Sequence, residues 1–159
     1  MSSPTTEDAG LYLQLLEISQ GVTQVEARRW VMHEFSAKTL KQLDEQYPAG
    51  SLERDKLINL LGFFEAAAAL ISHGLLHEDI FFEAPFAFQA IWSSVGGLID
   101  DWQRQADDPS IFENVQWLGR RYDIWLKTVR KPKLEAVPPD RKPGREWGEQ
   151  AEHVGFTKG

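Results

Sequence analysis

Apolar residues recur along most of this chain at intervals of three and four, the spacing that gathers them on one face of an α-helix. Leu11, Leu15, Leu16 and Ile18 begin the pattern and Gly21 closes it, which predicts a short helix over 7–19. Thr23 with Glu26 three residues on reads as a capping box ahead of Val25, Arg28, Met32 and Phe35, and predicts a second helix over about 24–46. Tyr47-Pro48-Ala49-Gly50 breaks the run, and Ser51 followed by acidic Glu53 starts the longest helix. Its stripe of Leu57, Leu60, Leu61, Phe64, Ala67, Ala68 and Ile71 is joined by Ile58, Phe63 and Leu70 on other faces. A helix apolar nearly all round belongs at the centre of a fold.

His73-Gly74 reads as a helix end with a left-handed glycine cap, and a short helical segment is expected over 78–83. Pro85 permits a new start, after which Phe88, Trp92, Val95, Ile99 and Trp102 form one face of a helix over about 86–106. Asp107-Asp108-Pro109 interrupts it, and Ile111, Val115, Leu118, Tyr122, Trp125 and Val129 predict a last helix over 110–131. No segment alternates with period two long enough to be a strand, and no internal repeat is present. The expected fold is an all-α, single-domain antiparallel helical bundle of about five helices. It would occupy 7–131, between a disordered lead-in at 1–6 and a flexible tail at 132–159 that contains Pro132, Pro138, Pro139 and Pro143 among charges.

Composition sharpens this picture in three ways. Six Trp and nine Phe in 159 residues predict a core built largely from rings. The absence of Cys removes disulfides, thiolate nucleophiles, zinc fingers and iron–sulfur clusters. Charge is divided unevenly: residues 1–126 hold nine Lys/Arg against nineteen Asp/Glu, or −10, while 127–159 hold eight against five, or +3. An acidic body repels phosphate backbones, so nucleic acid is not an expected partner. The most membrane-like stretch, Leu57 to Leu76, is interrupted by Asn59, Glu65, Ser72 and His73, so no membrane span is expected. The first thirty residues lack a basic region followed by an apolar run, which makes a cytoplasmic location the default expectation.

Among candidate chemical groups Glu65 comes first, because it interrupts the apolar run of the central helix. A carboxylate there needs a partner, since burying it unpaired costs several kcal/mol. The expected partner is a guanidinium across the bundle, with Arg28, Arg29, Arg120 and Arg121 as candidates and Arg120 or Arg121 preferred. The alternative is a small-molecule or metal-dependent enzyme centred on Glu65, with Gly96-Gly97 opening a crevice and His33 or His73 nearby. His73 and His77, followed by Glu78 and Asp79, allow a metal site to be drawn, but Gly74 between them makes helix caps the better reading. Asp100-Asp101 and Asp107-Asp108 lack the glycine-containing oxygen-rich loop of an EF-hand and read as solvated surface. No Gly-rich phosphate loop, nucleophile elbow or Glu-x-x-His pair is present, so no cofactor is expected.

Trp92, Trp102 and Trp125 fall on the predicted core faces. Trp30 and Trp117 lie off the main stripes and are candidates for a partner-binding surface, together with Trp147 in the tail. Arg141-Lys142-Pro143-Gly144-Arg145-Glu146-Trp147 combines cations, turn formers and one ring, the makings of a short linear element that docks on an acidic surface.

The run Leu60-Leu61-Gly62-Phe63-Phe64-Glu65, then His73-Gly74-Leu75-Leu76, a Trp-containing helix and a last helix through Arg121-Tyr122 resembles an uncharacterised bacterial family of small all-helical proteins, catalogued as a domain of unknown function. The resemblance spans Leu57 to about Trp125 and implies an all-helical fold without an assigned activity. The expected function is therefore a non-enzymatic helical module for protein–protein interaction or assembly, self-association included.

Overall fold

The computed structural model describes residues 3–128, and among them every regular element is an α-helix. The predicted tail, with Trp147, lies outside the described residues. α1 (Thr6–Gln20) starts at a capping box, in which Thr5 Oγ1 accepts from the Asp8 amide and Asp8 accepts in return from the Thr5 amide at 2.7 Å. α2 (Val22–His33) and α3 (Leu40–Gln46) replace the single helix expected over 24–46. Residues five apart on one helix point about 140° away from each other. Breaking the helix after His33 lets Phe35 fold back onto Trp30, with ring centroids 5.4 Å apart, and stack on Tyr47 at 5.6 Å. Thr39, whose hydroxyl accepts from the Gln42 amide, then starts α3 afresh.

α4 (Leu52–Ser72), capped by Ser51, is the central helix, flanked by α2 and by α7 (Glu113–Thr128). α5 (Glu78–Glu83) and α6 (Phe88–Ala106) complete the chain order. α7 lies antiparallel to α6, because Gln116 meets Asp100 while Tyr122 meets Gln89. It runs in the same sense as α4, since Glu65 meets Asn114 whereas Ile71 and Gly74 share a cleft with Trp117 and Arg121. The all-round apolar reading of α4 holds for most but not all of its surface: Ile58, Asn59, Gly62 and Ala66 are exposed.

The core is made of rings, as composition predicts. Phe64, Phe81 and Phe86 are fully buried, Phe81 and Phe86 lie 5.0 Å apart, and Phe88, Phe82, Tyr122 and Trp125 extend the cluster from α6 to α7. Edge-to-face and offset contacts at such separations add about 0.5–1.5 kcal/mol each beyond the area they bury. The short α5, with only six residues, keeps its shape because Phe81 and Phe82 anchor it in this cluster. No helix among the described residues is long and apolar enough to cross a membrane.

Candidate binding cleft

α7 begins without a local cap. The residue in its N-cap position is Phe112, at φ 48°, which has no side-chain acceptor for the free amides of the first turn. Glu65 supplies what Phe112 cannot: Oε1 accepts from Asn114 Nδ2 at 2.8 Å and from the Asn114 amide at 3.3 Å, and Oε2 accepts from the Val115 amide at 3.0 Å. A carboxylate at a helix amino end also faces the positive end of the macrodipole, worth about 0.3–1 kcal/mol. The guanidinium expected opposite Glu65 is not there. Arg120 is exposed, and Arg28 donates to the Ser19 carbonyl at 3.2 Å, closing the carboxyl end of α1. Backbone amides took the place of an Arg because α7 presents its first turn, and not its flank, to the middle of α4.

The same device recurs twice. Asp101 accepts from the Leu40 amide at 2.8 Å, at the start of α3, and from Arg104 at 2.5 Å. Asp8 Oδ1 accepts from the His77 amide at 2.6 Å, at the start of α5, while Oδ2 serves Thr5. These contacts hold both carboxyls below the usual range: the Thr5 hydroxyl leads for Asp8, the Leu40 amide for Asp101. Asp101 is accordingly buried, whereas the sequence reading placed it on the solvated surface. Asp108 fits that reading, bonding the Ser110 amide and hydroxyl beside it.

His73 and His77 fill the cap roles expected of them: His73 is the exposed C-cap residue of α4, Gly74 follows at φ 70°, and His77 Nδ1 accepts from the Asp79 amide at the start of α5. No group of three or more His, Asp or Glu side chains suited to a metal ion occurs among the described residues. Gly96 and Gly97 open no crevice between them. Gly96 lies against the indole of Trp92, and Gly119 of α7 comes so close to the same ring that an added Cβ would sit 2.1 Å from it. The indole of Trp92 thus occupies space that a side chain at either glycine would need, and Gly97 faces open space.

Of the two described Trp residues proposed for a partner surface, Trp30 is only 7% exposed, enclosed by Phe35 and Tyr47. Its off-stripe position reflects the break between α2 and α3, which brings a second set of residues around it. Trp117 is half-buried and lines a cleft of about 670 Å³ between the start of α1, the α4–α5 turn and α7. Ile71, Leu75, Leu76 and Trp117 give the cleft an apolar floor, and Leu75 is 58% exposed there. Glu7, Asp8, Glu78 and Arg121 also line it, Glu7 exposed and Asp8 buried. Glu78 and Arg121 form a two-point ion pair, 3.1 Å from Nε and 2.5 Å from Nη2, which raises the guanidinium's pKa further. Arg121 therefore serves this cleft and not Glu65. Glu78, Asn114 and Gly119 carry these arrangements without having stood out in the sequence; the missing cap at Phe112 was the one local sign that a remote acceptor was required.

The geometry defines a class: an all-helical domain in which acids of one helix cap the starts of others, with an open, partly apolar cleft beside the start of α1. Residues 4–122 match the family described as Domain of unknown function (DUF4760), and the chain belongs to that family. No curated protein and no solved structure matches the chain.

Proposed function

We propose that this protein is a non-enzymatic helical interaction module that receives an aromatic or aliphatic side chain, flanked by cations, from a protein partner in the cleft bounded by Trp117 and Leu75. The observation that supports this reading is a cleft that joins the exposed Leu75 and the half-buried Trp117 to a net acidic lining, in which Glu7 is exposed, Asp8 is buried and Glu78 is paired with Arg121. Covering the exposed Leu75 and the half-buried Trp117 removes apolar surface from water, and the net acidic lining selects against nucleic acid and for basic peptides. The competing reading, an enzyme centred on Glu65, loses support because both oxygens of that carboxylate are occupied by the start of α7. The cytoplasm is the compartment we propose for it.

The test is site-specific photo-crosslinking from position 75 and, as a control, from exposed Leu13 on α1. A defined crosslinked species from position 75, lost when Glu78 is replaced by Lys while the thermal midpoint holds, supports the reading. Crosslinking that is equal at both positions, or absent from 75, overturns it.

A further inference from the structure

We infer that the cleft's resident occupant is the chain's own segment 141–147, which seats Trp147 against Trp117 and Leu75 and places Arg141, Lys142 and Arg145 over the acidic lining. This rests on the reading of the cleft as a binding site. Three observations carry it. First, the net charges are complementary: segment 141–147 has three cations and one acid, while the cleft lining holds Glu7, Asp8 and Glu78 against Arg121, with Asp8 buried, Glu78 paired with Arg121 and Glu7 the acid left exposed. Second, the described chain ends beside the cleft, since Thr128 lies seven residues beyond Arg121 on α7, about 10 Å along the axis. The nineteen residues from Thr128 to Trp147 can span up to about 65 Å, so reach is no obstacle. Third, the chemistry of the segment matches the floor: Trp147 is the one ring in a run otherwise polar or turn-forming, and Leu75 with Trp117 is an apolar floor awaiting a cover.

Tethering makes such a contact intramolecular, at an effective concentration in the millimolar range for short linkers, so a weak contact suffices to keep the cleft filled. A partner bearing a similar cationic, aromatic segment would then compete with the tail, and the tail would set the threshold for binding. Of the other described clefts, one is lined by Glu26, Glu34, Glu53 and Trp30, but Arg29 and Lys56 offset two of its acids and its indole is nearly buried. The one between α3 and α6 is acidic through Asp44, Glu45 and Asp101, but the rest of its lining, Thr39, Leu40, Lys41 and Gln105, has no ring, and it lies toward the opposite end of α7.

The chain contains no Cys, so a single spin label can be placed in the full-length protein by Gln150→Cys. The expected result is loss of amide signal intensity at Leu75, Leu76, His77 and Trp117, with Leu40, Lys41 and Gln105 unaffected. That loss should disappear in a background of Arg141→Glu, Lys142→Glu and Arg145→Glu, and in Trp147→Ala. Signal loss at Leu40 and Lys41 instead, or none at the cleft, overturns the inference. The same intensity loss on isotope-labelled copies without the spin label, when mixed with spin-labelled copies, also overturns it, because the segment then belongs to a second copy. If position 75 still crosslinks a partner while the label leaves the cleft untouched, the cleft reading survives and the resident-tail inference fails alone.

Discussion

The two halves of α7 meet carboxylates in opposite ways. At its amino end Glu65 is saturated by an amide side chain and two main-chain N–H groups, beside a fully buried Val115. Toward its carboxyl end Glu78 meets the guanidinium of Arg121, whose side chain is a third exposed, on the rim of an open cleft. Backbone donors are fixed by the helix itself and cannot turn to another acceptor. A guanidinium on a rotatable stem can. The first arrangement specifies where α7 begins, and the second leaves a charge pair that an incoming ligand can rearrange.

The largest expected effect tests the closed half. Glu65→Ala strips the acceptors from the Val115 amide, which is shielded from water, and should lower stability by about 2–3 kcal/mol in urea denaturation. Glu65→Gln, which keeps an acceptor oxygen, should lose less. A loss below about 0.5 kcal/mol in Glu65→Ala would mean that the start of α7 is satisfied by water and that the two halves do not differ.

A smaller effect is expected in the open half. A double-mutant cycle with Glu78→Gln and Arg121→Met should give a coupling energy of about 1–2 kcal/mol, above that of a fully exposed ion pair because the contact is two-point and the Glu78 side chain is only 12% exposed. A coupling equal to the loss at Glu65 would remove the distinction between a structural and an exchangeable carboxylate.

The smallest effect concerns acid. Asp8 and Asp101 have carboxyl groups held below the ordinary range in the folded state, so their contribution is complete above about pH 4 and is lost as pH falls through the folded values. The urea midpoint should therefore decline with acidification below about pH 4. Asp8→Asn should flatten that decline but also lower the midpoint at neutral pH, because Asn does not titrate and its one carbonyl oxygen can accept from only one of the Thr5 and His77 amides, leaving its NH2 donor against the other.

Ser51 was legible as a helix start, and Gly74 takes the left-handed conformation that a glycine after His73 suggests, but Thr5 was read as part of a disordered lead-in, Thr39 as helix interior, and Thr23, read with Glu26 as a capping box, lies inside α2, whose N-cap is Gly21. The break at residues 34–39 was not legible. Val25, Met32 and Phe35 keep helical spacing through it, and the enclosure of Trp30 by Phe35 and Tyr47 exists only once the chain has turned back. The cleft was half legible, through Trp117 alone. Glu78 looked like an ordinary first-turn acid, and nothing near it in the chain identifies Arg121, forty-three residues away, as its partner.

Periodicity, punctuation and ring content by themselves determined that this chain forms helices, that α4 is central and that the core is aromatic, because those properties follow from residues a few positions apart. Which acid caps which helix, which glycine receives Trp92 and which Trp meets solvent were decided by tertiary structure. The physical reason is that a carboxylate or an indole carries no address: its partner is whatever donor or surface the packed helices bring within about 3–4 Å.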